Sequence, residues 1–517
     1  MAALGGFLQG ATLLALGGLL SRLLGLYRLL LPTLLGPEGV GLYHMAYPIY
    51  AATLAISTGG LPVAISKMVA DAAARGAHQE ARRVLTVAMV LLTSLGLLGA
   101  LGLYLLSPWL AQHVTRDARA ALSIAAVAPA VLLVAGMSAM RGFYQGYQVM
   151  WPTALSQVVE QVVRVGALVT LVVALQPQGI TAQAAGAASG ASFGALAGFL
   201  VLLAVRGTVH LPRTGGKAPS MRPLLRTLLV LAVPITVAGL GVPLMQLVDL
   251  VLVPARLAAL GLGEHARTGL YGELSGYGMP LVALPGIISG AIAVALVPTV
   301  AAFSASGNRS GAARTVREAL RATLLWTLPA ATGLYVLATP LTRTLFGSGS
   351  AGTIVQALSP SVVLFALAQV SAAGLQGVGE TWLPLRNLGY AAVAKIALTW
   401  VLVGTMGVSG AGLGTVGAYL IWAALNVVGL RRLGRVFAIG DQVVRPLAAT
   451  AVMAIVLFAL PIGESRLRAI LAVFVGLCAY FAGLLVAGGL RGSDLEEIPM
   501  LGPRLRRGLE WLGLIRR

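Results

Sequence analysis

Apolar residues run through this chain in long blocks, without the alternation that marks a half-exposed strand. Hydropathy divides them into about fourteen segments of roughly 20 residues or more, the length a helix needs to cross a bilayer. Their extents are 7–34, 42–73, 84–110, 120–146, 151–175, 183–205, 225–255, 268–303, 319–341, 353–378, 382–403, 411–430, 446–462 and 468–490. The pattern predicts an all-α polytopic membrane protein. The stretch 498–517 reads differently. Leu501, Leu505, Leu509 and Leu512 recur at helical spacing beside Arg504, Arg506, Arg507, Arg516 and Arg517. That predicts a basic amphipathic helix lying in the membrane interface.

A repeat emerges at an offset of 231 residues. Gln145, Gly146 and Trp151 correspond to Gln376, Gly377 and Trp382, and Arg164 to Lys395. Val69, Gly76, Ala81 and Arg83 correspond to Val300, Gly307, Ala312 and Arg314. Six helices therefore repeat as six. The expected organisation is a first lobe over 1–206, a linker over 207–222, a second lobe over 223–435, two further helices over 443–490, and the basic tail. Parallel repeats of this kind are a transporter architecture, with the substrate between the halves.

Composition agrees with the membrane class: 58% of the 517 residues are hydrophobic and 10% charged, too much apolar surface for a soluble chain to hide. The formal charge of +20 would suggest nucleic acid in a soluble protein. Here position decides. With the N-terminus placed in the cytoplasm, Lys and Arg favour the cytoplasmic joints over the external ones by about three to one. The excess faces anionic lipid headgroups, and no nucleic-acid partner is expected. Both termini are expected in the cytoplasm, the first helix retained, and the protein a monomer. Cys478 is the only cysteine, so no intrachain disulfide and no cysteine-based metal site is possible. The five histidines are scattered, and no phosphate-binding loop of the Gly-Lys-Ser/Thr type is present. Gly190-Ala191-Ser192-Phe193-Gly194 matches a nucleophile-elbow string but sits inside a membrane helix, where small residues serve packing. No enzyme, metal or cofactor is expected.

Charges inside the apolar segments are the candidate chemistry. Arg22, Arg28 and Lys67 lie at depths where a bare cation costs at least about 2.5–3.5 kcal/mol. They are expected where water or an anion reaches them, lining a cationic cavity. Arg28 and Lys67 also lie near enough to segment ends to snorkel. Arg141, Arg164 and Lys395 extend the set of candidate substrate-binding cations. Glu160 and Arg164 are one turn apart in the order that favours an ion pair, which reads as a structural pair before a substrate contact. Asp249 and Glu273 are candidate sites for a coupling Na+ or H+, or partners for Arg256 or Arg267. Pro48, Pro62, Pro280 and Pro285 interrupt the second and eighth segments, marking a binding site or gate. Guanidinium groups chelate phosphate oxygens, so a phosphate-bearing substrate fits this charge pattern.

Several strings carry a family resemblance. They are Leu35-Gly36-Pro37-Glu38-Gly39-Val40-Gly41-Leu42-Tyr43, Tyr47-Pro48-Ile49-Tyr50 and Ser57-Thr58-Gly59-Gly60-Leu61-Pro62-Val63-Ala64-Ile65-Ser66-Lys67. Further matches are Val248-Asp249, Val253-Pro254-Ala255-Arg256-Leu257, Leu270-Tyr271-Gly272 and Leu296-Val297-Pro298. Together they resemble the stage V sporulation protein B group of polysaccharide-biosynthesis transporters, from the first helix to about residue 440. That group belongs to the multidrug/oligosaccharidyl-lipid/polysaccharide exporter superfamily, which includes the lipid II flippase of peptidoglycan synthesis. The resemblance implies two six-helix lobes, alternating access in the bacterial cytoplasmic membrane, and a lipid-linked sugar pyrophosphate as cargo, of the undecaprenyl lipid II type. It places the cavity cations of the flippase on Arg22, Arg28 and Lys67. Where the flippase carries an arginine in its eighth helix, Tyr271 to Pro280 holds Glu273. The superfamily's multidrug branch supplies the alternative, a Na+- or H+-coupled drug exporter, whose acidic, aromatic cavity has the opposite sign.

Overall fold

A computed structural model describes residues 18, 20, 25, 29–208, 220–347, 349–431, 441–461 and 465–489. Packing divides the chain into two compact units, Met1–Gly272 and Glu273–Arg517.

The first unit contains α1 (Leu31–Thr58), α2 (Leu61–Ala74), α3 (His78–Leu110), α4 (Ala120–Gly146), α5 (Trp151–Ala174), α6 (Ile180–Ala204), α7 (Met221–Gly239), α8 (Gly241–Ala259) and α9 (Glu264–Gly272). The second contains α10 (Met279–Ala283), α11 (Gly286–Ala305), α12 (Arg309–Val336), α13 (Ala338–Phe346), α14 (Gly352–Leu358), α15 (Pro360–Gly377), α16 (Trp382–Met406), α17 (Val408–Leu430), α18 (Asp441–Ala459) and α19 (Arg466–Val486). Among the described residues the regular structure is all helical. Eleven helical segments there are long and apolar enough to cross a membrane, twelve if α12 and α13, bent by 77°, form one span. Their outward faces are apolar: Val294 is 77% exposed and Leu105 70%. Water would not tolerate such faces on helix after helix, and lipid does.

About two thirds of the expected span 7–34 lies outside the described residues, and the tail 498–517 lies wholly outside them. The span expected over 225–255 is two helices, α7 and α8, meeting at Leu240. Gly239, Gly241 and Pro243 crowd that point, and proline in the first turn removes a donor that a continuous helix would need. α1 is interrupted just before Pro37, where Gly36 leaves the helix at φ 64°, ψ 178°, a conformation that suits glycine. A second break separates α1 from α2 at Gly59 (φ 23°), where Thr236 Oγ1 accepts the Gly60 N–H at 2.9 Å.

The 231-residue offset recurs in the helices themselves. α3 and α12 begin at His78 and Arg309, α4 and α15 end at Gly146 and Gly377, and α5 and α16 begin at Trp151 and Trp382. Three left-handed residues pair at the same offset: Gly76 with Gly307, Arg116 with Gly347, and Gln148 with Gly379. Packing repeats too. A Cβ on Gly146 would lie 2.6 Å from Val69 Cβ, and one on Gly377 would lie 2.7 Å from Val300 Cβ. Duplication in the sequence and division by packing are different partitions, however. α7, α8 and α9, which follow the 207–222 segment, pack with the first unit, α7 against α2 and α8 and α9 against α1.

Candidate functional site

α5 carries a charged buried face in the first unit. Ser156, Glu160 and Arg164 recur every four residues, so they share one face, and all three are buried. α6 lies flush against the backbone behind them. A Cβ on Gly194 would stand 2.6 Å from the Glu160 carbonyl oxygen and 2.8 Å from Arg164 Cβ, and one on Gly198 3.2 Å from Glu160 Cβ. The Gly190–Gly194 string is therefore a packing seam. On the free side of α5, Glu160 Oε1 accepts from Arg164 Nη2 and Oε2 from Arg141 Nη2, each at 2.9 Å. Arg141 Nε donates to Ser156 Oγ at 3.0 Å, and that hydroxyl donates to the Thr153 carbonyl at 2.8 Å. The Tyr50 hydroxyl of α1 lies beside Arg164. Two guanidiniums share one carboxylate, so the cluster carries one net positive charge.

Arg22 and Arg28 lie outside the described residues. Lys67 is exposed on α2. Asp249, on α8, is buried near Tyr271 of α9. In the second unit, Lys395 is 1% exposed on α16, which packs against α17. Glu273, also in that unit, is buried and accepts a hydrogen bond from the Ser350 hydroxyl. Pro48 lies inside α1; Pro62 opens α2 just past the Gly59 break. Pro280 sits in the short α10, and Pro285 precedes α11. Arg267, a proposed partner for the carboxylates, instead donates to the carbonyls of Arg116 (2.9 Å) and Leu262 (3.4 Å).

Sequence reasoning missed a second cluster at the end of the first unit where α3 joins α4. Asp117 is 1% exposed. It accepts from Arg119 Nε (3.0 Å), Arg119 Nη2 (2.7 Å), the Arg119 backbone N–H (3.0 Å) and the Thr268 hydroxyl (2.5 Å). Arg119 Nη1 also pairs with Glu38 of α1, and His265 Nδ1 lies 2.5 Å from that Glu38 oxygen. The joint thus ties α1 and α9 to the α3–α4 connection. Beneath it the two helices touch backbone to backbone. A Cβ on Gly41 would stand 2.1 Å from the Thr268 carbonyl oxygen, and one on Gly272 2.0 Å from that of Pro37. Positions 41 and 272 are 231 apart, as are 37 and 268. Residue i meets j as i's counterpart meets j's counterpart, the mark of a two-fold relation. That signal was available in the repeat.

Burial pushes the Asp117 carboxyl up, but its hydrogen bonds with Arg119, Glu264 and Thr268 outweigh burial and hold it below the ordinary aspartate value. Its shared bond with Asp117, then burial, raises Glu264. The signs are opposite. Asp117 stabilises the folded state above its unfolded value and loses that contribution as pH falls through the lower folded one. Glu264 contributes below its unfolded value and loses the contribution as pH rises through its raised one. The Asp117 joint should therefore persist at neutral pH and loosen only below about pH 4. Thermal unfolding measured against pH should show that acid limb in the wild type and lack much of it in Asp117→Asn.

The chain matches the model of a family described as polysaccharide biosynthesis protein over residues 7–304. It is 30% identical to stage V sporulation protein B of Bacillus subtilis, covering 81% of this chain and 82% of that protein. It is 29% identical to the lipid II flippase MurJ of the same organism, covering 82% of each. Among solved structures, it resembles a lipid II flippase MurJ in an inward closed conformation, at TM-score 0.69 and 14% identity over 92% of this chain and 98% of that one. It also resembles an inward-facing multidrug resistance MATE family transporter, at TM-score 0.66 and 16% identity over 80% of this chain and 95% of that one.

Proposed function

Because the chain belongs to the polysaccharide biosynthesis protein family, we propose that it flips a lipid-linked sugar pyrophosphate across the bacterial cytoplasmic membrane by alternating access. The cargo is of the undecaprenyl, lipid II-like class. It crosses chemically unchanged, its lipid tail staying in the bilayer. The supporting observation is the buried Arg141–Glu160–Arg164 cluster, where cationic charge exceeds anionic charge among membrane helices. A cavity for cationic drugs would need the opposite balance. Arg22, Arg28 and Lys67, with Arg141, Arg164 and Lys395, are the proposed cations for the pyrophosphate. Asp249 and Glu273 are the proposed sites for a coupling ion, and the breaks near Pro62 and Pro285 the proposed hinges. With both termini in the cytoplasm, the Glu38–Arg119 joint faces outward and acts as the outer seal.

A depletion strain complemented with Arg22→Ala, Arg28→Ala or Lys67→Ala tests this. Each variant should lower complementation about tenfold or more, the scale of one charge-assisted hydrogen bond. Lipid-linked precursor should then accumulate on the inner leaflet. Normal wall synthesis with lost drug resistance would support the multidrug exporter instead.

A further inference from the structure

Glu160 is an acid in a place where the proposed function asks for cations. Each of its oxygens holds one guanidinium through a single N–H, at 2.9 Å. Neither contact is the two-bond fork that an arginine makes with a carboxylate it keeps permanently. We propose that Glu160 is a built-in counter-anion. It neutralises one of the two arginines while the site is empty, and yields that arginine to a phosphate oxygen of the cargo. The inference rests on the flippase reading and concerns how its anion site is held ready.

Three observations carry it. First, the cluster keeps one net positive charge in a poorly screened setting, so a second anion is still attracted with Glu160 in place. Second, the side chains are partly open: 14% exposed for Arg141 and 10% each for Glu160 and Arg164. The back of Glu160 is closed by Gly194 and Gly198 of α6, so only its carboxylate end has freedom to swing. Third, the duplicated helices show what the scaffold requires. The counterparts of Arg141, Glu160 and Arg164 are Ala372, Ala391 and Lys395. A buried base recurs on α16 with Ala391, not an acid, one turn before it, so an acid at that place is not shared by the duplicated helices.

An anion that competes with the ligand lowers affinity and speeds release. Without it, the arginines would hold a pyrophosphate more tightly and give it up more slowly. Cargo exchange is thus faster with Glu160 than without it.

The test is inorganic pyrophosphate binding to the purified full-length protein, measured calorimetrically for wild type, Glu160→Gln, Glu160→Asp and Arg164→Gln. Thermal unfolding and size-exclusion profiles report the fold of each. Glu160→Gln should tighten binding about tenfold, the scale of one competing charge-assisted contact. Glu160→Asp, which retracts the carboxylate by one methylene, should tighten it by less, and Arg164→Gln should abolish it. If Glu160→Gln does not fold, Glu160→Asp decides. Folded Glu160 variants that bind pyrophosphate no more tightly than wild type overturn the counter-anion role while leaving the anion site intact. Absence of binding in every protein, wild type included, overturns anion recognition by these arginines; the depletion strain then judges flipping separately.

Discussion

Gly41→Val is expected to abolish complementation while the protein still reaches the membrane. The neighbour that its new Cβ meets, at 2.1 Å, is the Thr268 carbonyl oxygen, part of the backbone and unable to rotate away. α1 and α9 must then separate, and overpacking of this kind costs about 1–3 kcal/mol or more. At 1.4 kcal/mol per factor of ten, that shifts a closed seal toward the open state by roughly one to two orders of magnitude. Gly272→Val should do the same from the other side, against the Pro37 carbonyl oxygen at 2.0 Å. Gly39→Val should be milder, because its nearest neighbour is the movable Cδ1 tip of Ile180. Gly102→Val, with nothing within 4 Å, should be silent. Cysteine labelling separates these outcomes. With the exposed Cys478 replaced by serine, Val40→Cys is a buried reporter. An impermeant maleimide added from outside should label it in the Gly41→Val and Gly272→Val backgrounds and spare it in the wild type and in Gly102→Val.

Asp117→Ala is expected to cost about 3 kcal/mol of stability, the lower end of the cost of breaking a buried ion pair. Four donors converge on that carboxylate, which is 1% exposed. Its removal leaves Thr268 without its acceptor and Arg119 with Glu38 and, at 3.9 Å, Glu264. Arg119→Ala should cost less by itself, since Asp117 keeps Thr268. The double variant should fall well short of the sum, because the two residues act through one network. Thermal unfolding of the four proteins in one detergent gives the cycle directly. A sum that adds would mean Arg119 and Asp117 stabilise different states.

Long apolar blocks and breaker residues made the helices legible. So did the helix ends, because Gly76 and Gly307, or Trp151 and Trp382, repeat in step. The α7–α8 break was masked because its residues are apolar enough to read as one span. Among site residues, Glu160 and Arg164 were legible as neighbours because their spacing is local. Arg141 joined them only through the fold, from another helix. The outer joint was harder. Asp117 and Arg119 sit in a short polar connection that reads as solvated surface. Their partners Glu38 and Thr268 lie 81 and 151 residues away along the chain. Hydropathy carries no information about such pairings.

The left-handed residues at the matched helix ends have an evolutionary consequence. Arg116 and Gln148 adopt φ 59° and 61°, where their counterparts Gly347 and Gly379 adopt 73° and 89°. A left-handed residue with a Cβ costs about 1–2 kcal/mol that glycine does not pay. Copying the glycines into the first half would relieve that strain, whereas copying Arg or Gln into the second would add it. Recombination between the halves is therefore easier in one direction than in the other. In such an exchange the second half is the better donor and the first the better recipient.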